Sequence, residues 1–63
     1  MGILLQIKHV DGYGEVVVAE ILDRFGKGKG FYLVWKSRYS RQVWRSESTA
    51  LKALKAGLVE WLP

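Results

Sequence analysis

The chain lacks cysteine altogether, and its 63 residues include a single histidine and a single proline. Without cysteine it can form neither a disulfide framework nor a thiolate metal site, and a reducing, intracellular setting is expected. His9 has no second histidine with which to share a metal ion, and the carboxylates show no pairing typical of a catalytic dyad. The sequence therefore predicts a protein that is not an enzyme and that uses no metal or other cofactor.

Long apolar runs are missing as well. No stretch approaches the ~20 residues that a membrane-spanning helix needs, and the first six residues lack the basic region and cleavage site of a signal peptide. Sixty-three residues suffice for one domain at most. With 49% apolar residues the chain can still form a compact core. We therefore expect one domain, residues 1–63, located in the cytoplasm and not attached to a membrane.

Charge is present but unevenly distributed. Residues 24–45 contain seven basic residues and no acidic one, whereas the rest of the chain has three basic and six acidic residues. These two parts carry +7 and −3, which sum to the formal net charge of +4. Five aromatic residues that lie outside any helical pattern are interleaved with the basic ones: Phe31, Tyr32, Trp35, Tyr39 and Trp44. A basic and aromatic segment of this kind indicates an anionic partner.

The first half of the chain has the pattern of a β-hairpin. Residues 3–10 alternate and place Ile3, Leu5 and Ile7 on one side, which predicts a strand with a mostly apolar face. Residues 11–14, Asp-Gly-Tyr-Gly, supply the positive φ angles of a tight connection. Residues 15–25 fit two interpretations, because their valine run is typical of a strand while their apolar spacing also fits a helix. We favour the strand, since hairpin chemistry precedes it.

The second half predicts two more strands and a helix. Residues 26–30 form a glycine-lysine loop, residues 31–37 a strand, residues 38–41 a turn and residues 42–45 a short strand. A helix then begins at a cap, Ser46 or Ser48, and its apolar stripe continues through Leu58 to Trp61 and Leu62. The predicted fold class is α+β, a small antiparallel sheet of three to four strands (ββββα) packed by one C-terminal helix.

The basic and aromatic segment, residues 24–45, has the composition of a nucleic-acid interface. Lysine and arginine neutralise phosphates and release counterions, and tyrosine can stack on unpaired bases. Trp35 and Trp44 are interpreted as core residues. We expect Lys36, Arg38, Arg41 and Arg45 to cluster at the turn and along one edge. The candidate nucleic-acid-binding residues are Lys27, Lys29, Tyr32, Lys36, Arg38, Tyr39, Arg41 and Arg45.

From Phe31 onward the chain resembles AP2-type domains and the arm-binding domains of phage-type integrases. Trp44, Ser46 and Ala50 match the spacing of their strand-to-helix junction. The resemblance implies a sheet that enters the major groove of DNA, with Lys36, Arg38, Arg41 and Arg45 facing the DNA. The order of four strands and a helix is also similar to single-strand-binding coactivator-like domains, so single-stranded DNA and RNA stay open as ligands.

A second hypothesis is a small protein-interaction module or inhibitor of viral or mobile-element origin. Tyrosine, tryptophan and arginine are also the residues of protein hot spots, and a basic segment suits an acidic protein partner. The apolar strand at residues 3–10 is compatible with a homodimer under either hypothesis.

Overall fold

The computed structural model describes all 63 residues and shows a four-stranded antiparallel sheet in the order β1-β2-β3-β4, with one helix on one side. The elements are β1 (Gly2–Val10), β2 (Gly14–Leu22), β3 (Gly28–Trp35), β4 (Arg38–Tyr39) and α1 (Glu47–Lys55). The predicted α+β class and the ββββα order are confirmed. No helix in the chain is long and apolar enough to cross a membrane.

The first hairpin follows the expected pattern. β1 and β2 pair without interruption from Gly2 opposite Leu22 to Val10 opposite Gly14. In the connection Gly12 has a φ of +87°, a left-handed conformation that glycine adopts without steric cost. The strand interpretation of residues 15–25 is confirmed as far as Leu22. The chain then turns at Asp23, whose carboxylate accepts hydrogen bonds from the backbone N–H groups of Phe25 (2.8 Å) and Lys27 (2.9 Å).

The second turn lies earlier than predicted. It is made by Lys36 and Ser37, with φ of +49° and +64°, rather than by residues 38–41. Two consecutive positive φ angles suit the right-handed twist of a two-residue hairpin, for which Asn-Gly is the usual sequence signal. Lys-Ser carries no such signal, so the turn position follows from strand pairing. β3 also starts inside the predicted 26–30 loop, at Gly28.

The strand predicted at residues 42–45 is instead a bulged segment. After β4, Ser40 donates its backbone N–H to the Leu33 carbonyl (2.8 Å), while the Leu33 N–H is accepted by the Ser40 hydroxyl oxygen (3.0 Å). A side-chain oxygen thus replaces the next backbone acceptor. The chain bulges outward and rejoins β3 at Trp44, which exchanges two 2.8 Å hydrogen bonds with Phe31. β4 is short because the pairing is interrupted at this point.

The helix begins as predicted and ends earlier than predicted. Ser46 is the N-cap, and its hydroxyl accepts the Thr49 N–H at 3.2 Å. α1 stops at Lys55, so the predicted helical stripe to Trp61 and Leu62 is wrong. Gly57 has a φ of +71° just beyond the helix, which reverses the chain. The apolar residues that follow belong to an extended tail.

That tail closes the outer edge of the sheet. The Leu62 N–H donates to the Tyr39 carbonyl (2.7 Å), and the Arg41 N–H donates to the Glu60 carbonyl (2.8 Å). The Gln42 amide also binds the tail, since it donates to the Leu58 carbonyl (2.9 Å) and accepts the Glu60 N–H (3.0 Å). The bulged segment is therefore held from both sides.

The core lies between α1 and the middle of the sheet. Its buried residues are Val10, Val16, Val18, Leu33, Ala50 and Leu54. Aromatic rings surround it, and Trp35 and Trp44 pack against it as interpreted from the sequence. The Trp35 indole N–H donates to the Tyr13 carbonyl (2.9 Å), and the Tyr13 hydroxyl donates to the Leu54 carbonyl (2.8 Å). These bonds tie the first hairpin to β3 and to α1.

Candidate nucleic-acid interface

The sheet has one face that no helix covers, here called the open face. Strand register aligns Leu5, Ala19 and Tyr32 across it in one row, and Ile7, Val17, Val34 and Tyr39 in the next. Side chains on this face alternate with those packed under α1. The open face is formed by Ile3, Leu5, Ile7, Val17, Ala19, Ile21, Tyr32, Val34 and Tyr39.

Two candidate binding residues meet on the open face. The rings of Tyr32 and Tyr39 have centroids 6.0 Å apart and an interplanar angle of 30°. Tyr32 is half-buried by its neighbours, while Tyr39 on the outer strand is 52% exposed. Because β4 pairs Tyr39 with Val34, the two rings occupy adjacent strands in neighbouring rows. They form an aromatic surface at the β3–β4 side of the open face.

Three of the candidate cations lie close to this pair in sequence, although Arg38 pairs with Trp35 and therefore starts from the helix side of the sheet. Lys36 is in the turn and Arg38 begins β4; both are exposed, and neither has a carboxylate within salt-bridge distance. The Lys36 ammonium lies 4.8 Å from the centre of the Trp35 ring. Arg41 is paired with Glu60 at 3.4 Å, but both side chains are largely exposed. Such surface pairs are weak, so Arg41 can exchange its partner for a phosphate.

The remaining cations lie at the other end of β3. Lys27 and Lys29 flank the start of the strand, and Lys29 is 3.7 Å from the Asp23 carboxylate. Lys29 and Lys36 are separated by seven strand steps, which corresponds to about 23 Å. Arg45 belongs to this end too, since its neighbour Trp44 pairs with Phe31. Of the four bases expected at the turn and along one edge, Arg45 therefore lies along the edge, away from the turn.

The eight predicted residues form two basic groups with the tyrosine pair between them. Of the seven bases in residues 24–45, only Lys29 and Arg41 make a salt bridge. Glu15 and Glu20 pair with none of them. The positive charge that is segregated in the sequence therefore stays mostly uncompensated in the fold.

Sequence reasoning missed the aliphatic part of the open face. The alternation of Ile3, Leu5 and Ile7 correctly indicates an apolar side of β1, but these residues lie away from the helix and are exposed. The pattern gives the period of a strand without saying which face the helix covers. Sequence reasoning also missed the structural roles of Ser40 and Gln42. Their side-chain hydrogen bonds depend on the bulge after β4, and no sequence pattern indicates that bulge.

No group of three or more histidine, cysteine or acidic side chains is placed to hold a metal ion. Comparison of the chain with protein-family models, curated proteins and solved structures finds no match. The resemblance to AP2-type and integrase arm-binding domains therefore stays a prediction.

Proposed function

We propose that this protein binds single-stranded nucleic acid along β3, with bases stacked on Tyr32 and Tyr39 and phosphates held by the cations at the two ends of the strand. The observation that carries the proposal is the uncovered tyrosine pair on the same β3–β4 hairpin as Lys36 and Arg38, two cations that no carboxylate pairs with. Stacking supplies contact with any base, and the cations attract the backbone. Such a role corresponds to a cytoplasmic protein, associated with the nucleoid if the ligand is DNA.

The surroundings of the tyrosine pair favour unpaired bases over a duplex. Val17 and Val34 lie next to the rings on the open face, so the ligand there meets apolar surface. Bases in a duplex are already stacked and present phosphates outward, whereas the bases of a single strand expose their π faces. The basic groups lie beyond this apolar surface, at the ends of β3, where a backbone that crosses it would meet them.

The arrangement predicts a measurable dependence on salt. If three to five of the cations contact phosphates, the slope of log affinity against log salt is about −2 to −3.5 for a single strand. Between about 50 and about 200 mM salt, affinity then falls roughly 20- to 100-fold. Fluorescence anisotropy with single-stranded DNA, single-stranded RNA and duplex DNA measures this directly. Affinity that does not change with salt, or a stronger preference for the duplex, would contradict the proposal.

Substitutions separate stacking from charge. Tyr39→Ala should weaken binding about 5- to 150-fold, corresponding to the ~1–3 kcal/mol of one stacked base, and Tyr39→Phe should retain most of the affinity. Phe25→Ala is the matched control, since Phe25 is 75% exposed but lies in the β2–β3 loop.

Arg38→Ala should lower both the affinity and the magnitude of the salt slope, the latter by about 0.7. Lys52→Ala, on the exposed side of α1, should change neither.

A protein-interaction role is the second candidate, and one observation favours it. Leu5 and Ile7 on β1 are 61% and 65% exposed, and nothing in the tyrosine-based site uses them. If the protein is such a module, it should form a defined complex with an acidic protein in size-exclusion chromatography and leave every nucleic-acid probe unbound.

A further inference from the structure

β1 exposes large aliphatic side chains on both of its faces. Ile3, Leu5 and Ile7 are 56%, 61% and 65% exposed on the open face, and Leu4 is 53% exposed on the helix side. The helix covers Val10 at the end of this strand but not its first half, where Leu4 lines a shallow groove between β1 and α1. A ligand or partner lying on one face of the sheet would leave the other side of β1 in water. Only a neighbour at the edge of the strand contacts both.

The free edge of β1 also has few of the features that normally prevent strands from pairing. Natural edge strands are short, bulged, or interrupted by proline and lysine. β1 is nine residues long, pairs with β2 without a bulge and contains no proline. Its one lysine, Lys8, is 3.4 Å from the Glu47 carboxylate, which compensates the charge. The outward N–H and C=O groups of the strand are therefore available to another strand.

We propose that the occupant of this edge is β1 of a second copy, paired antiparallel about a twofold axis perpendicular to the sheet. The two sheets then form one continuous eight-stranded sheet with both helices on the same side. In a symmetric antiparallel pair, the residue on the axis faces its own copy. An axis at Leu5, Gln6 or Ile7 places Lys8 opposite Gly2, Leu4 or Gln6 of the partner, so no like charges meet.

A second copy suits this edge better than a ligand of another kind. The partner strand has to be nearly uncharged and apolar on both faces, which β1 itself is, and a twofold interface requires such self-complementarity. β1 has no aromatic side chain and no free lysine or arginine for a nucleic-acid strand. The pairing does not depend on nucleic-acid binding, which involves β3 and β4.

The size of the interface sets the expected strength. A strand of nine residues and the thickness of a sheet give a projected footprint of roughly 260 Å² per copy. That is well below the ~800 Å² per partner of a standard specific interface, so the backbone hydrogen bonds along the strand must supply much of the stability. We therefore expect a weak, reversible dimer with a dissociation constant on the order of 100 μM.

Sedimentation velocity over a range from about 1 μM to about 1 mM protein should show a monomer that converts to a dimer. Leu5→Lys and Ile7→Lys should each shift the dissociation constant upward by at least about tenfold, while circular dichroism shows the same fold. Leu58→Lys is the control. Leu58 is 68% exposed, about as much as Ile7 at 65%, but it lies in the tail and not on β1. A wild-type chain that stays monomeric throughout, or a dimer that loses affinity equally with all three variants, overturns the proposal.

The absence of cysteine allows a positive test of the geometry. Leu5→Cys, Gln6→Cys and Ile7→Cys are made one at a time and oxidised under mild conditions. At least one of them should form a disulfide-linked dimer, because the residue at the twofold axis faces itself within the distance that a disulfide needs. Lys52→Cys, exposed on α1, should not. Equal cross-linking at all four positions means random collision and counts against the pairing.

Discussion

The two edges of the sheet are built in opposite ways. The β4 edge is made of a two-residue strand, a bulge and a returning tail, and it carries Arg38 and Arg41. The β1 edge is a single uninterrupted strand of nine residues with aliphatic side chains on both faces. The chain closes the first edge with its own C-terminal residues and leaves the second open. One edge is thus protected against strand addition, while the other offers a template for it.

This difference also separates the two surfaces proposed for binding. The aromatic and basic side chains are near the protected edge, where an added strand cannot cover them. The aliphatic side chains are at the open edge, where charge is scarce. A twofold axis at β1 would leave the two tyrosine pairs near the far sides of one sheet, with the β3 strands of the two copies five strand spacings (about 24 Å) apart and the β4 strands seven (about 34 Å). Dimerisation and nucleic-acid binding can therefore occur together.

The largest expected effect on the free energy of unfolding comes from comparing a leucine-to-alanine substitution on the helix side of the sheet with one on the open face. Leu33 on β3 is fully buried, whereas Leu5 on β1 is 61% exposed. Leu33→Ala should reduce the free energy of unfolding by about 2–5 kcal/mol, since it leaves a cavity in the core. Leu5→Ala, measured on the dilute monomer, should reduce it by less than about 1 kcal/mol. Urea denaturation at low protein concentration gives both values, and similar losses would mean that the core extends under β1.

A smaller effect is expected at the bulge that protects the β4 edge. Ser40 is 6% exposed, and its hydroxyl accepts the Leu33 N–H and donates to the Gln42 carbonyl, both at 3.0 Å. Ser40→Ala leaves a buried donor unsatisfied and should cost about 1–3 kcal/mol. Ser48→Ala, on the exposed face of α1, should change stability by less than about 0.5 kcal/mol. Thermal unfolding of the two variants side by side measures the difference; equal melting temperatures would show that the serine bridge is dispensable.

The sequence predicted the first hairpin better than the second because its signals are local. Alternation in residues 3–10, two glycines in the connection and the valine run all agree, and the strands form as expected. In the second half, the signals compete with long-range pairing. The apolar stripe through Leu58 and Trp61 fits a helix, but Gly57 ends it and the tail instead pairs with residues 39–42. A stripe of this kind cannot reveal a partner that lies elsewhere in the chain.

The sequence indicated which residue types form the candidate site, but only part of their arrangement in the fold. Tyr32 and Tyr39 meet although the turn between them was placed wrongly, because the alternation of β3 puts Tyr32 opposite the core side in any case. The sequence did not show how far along this edge Arg45 lies, because the bulge after Ser40 carries the chain back along β3 to Phe31. Which face the helix covers is a tertiary choice, and the exposed aliphatic residues of β1 follow from it.

The smallest effect concerns the turn at the end of β3. Ser37 has a φ of +64°. In this left-handed conformation the Cβ of an L-residue is crowded by the backbone, whereas glycine has no Cβ and adopts the conformation without strain. Ser37→Gly should therefore raise the free energy of unfolding by about 0.5–1 kcal/mol, because the turn approaches the sequence preference of a two-residue hairpin. It removes no charge, so nucleic-acid affinity should change by less than about twofold. Ser48→Gly, in the helix, should have the opposite sign and cost up to about 1 kcal/mol. If Ser37→Gly stabilises the fold yet weakens binding strongly, the left-handed turn itself positions Lys36 and Arg38 for the ligand; if it destabilises the fold, the turn is held by contacts other than its backbone angles.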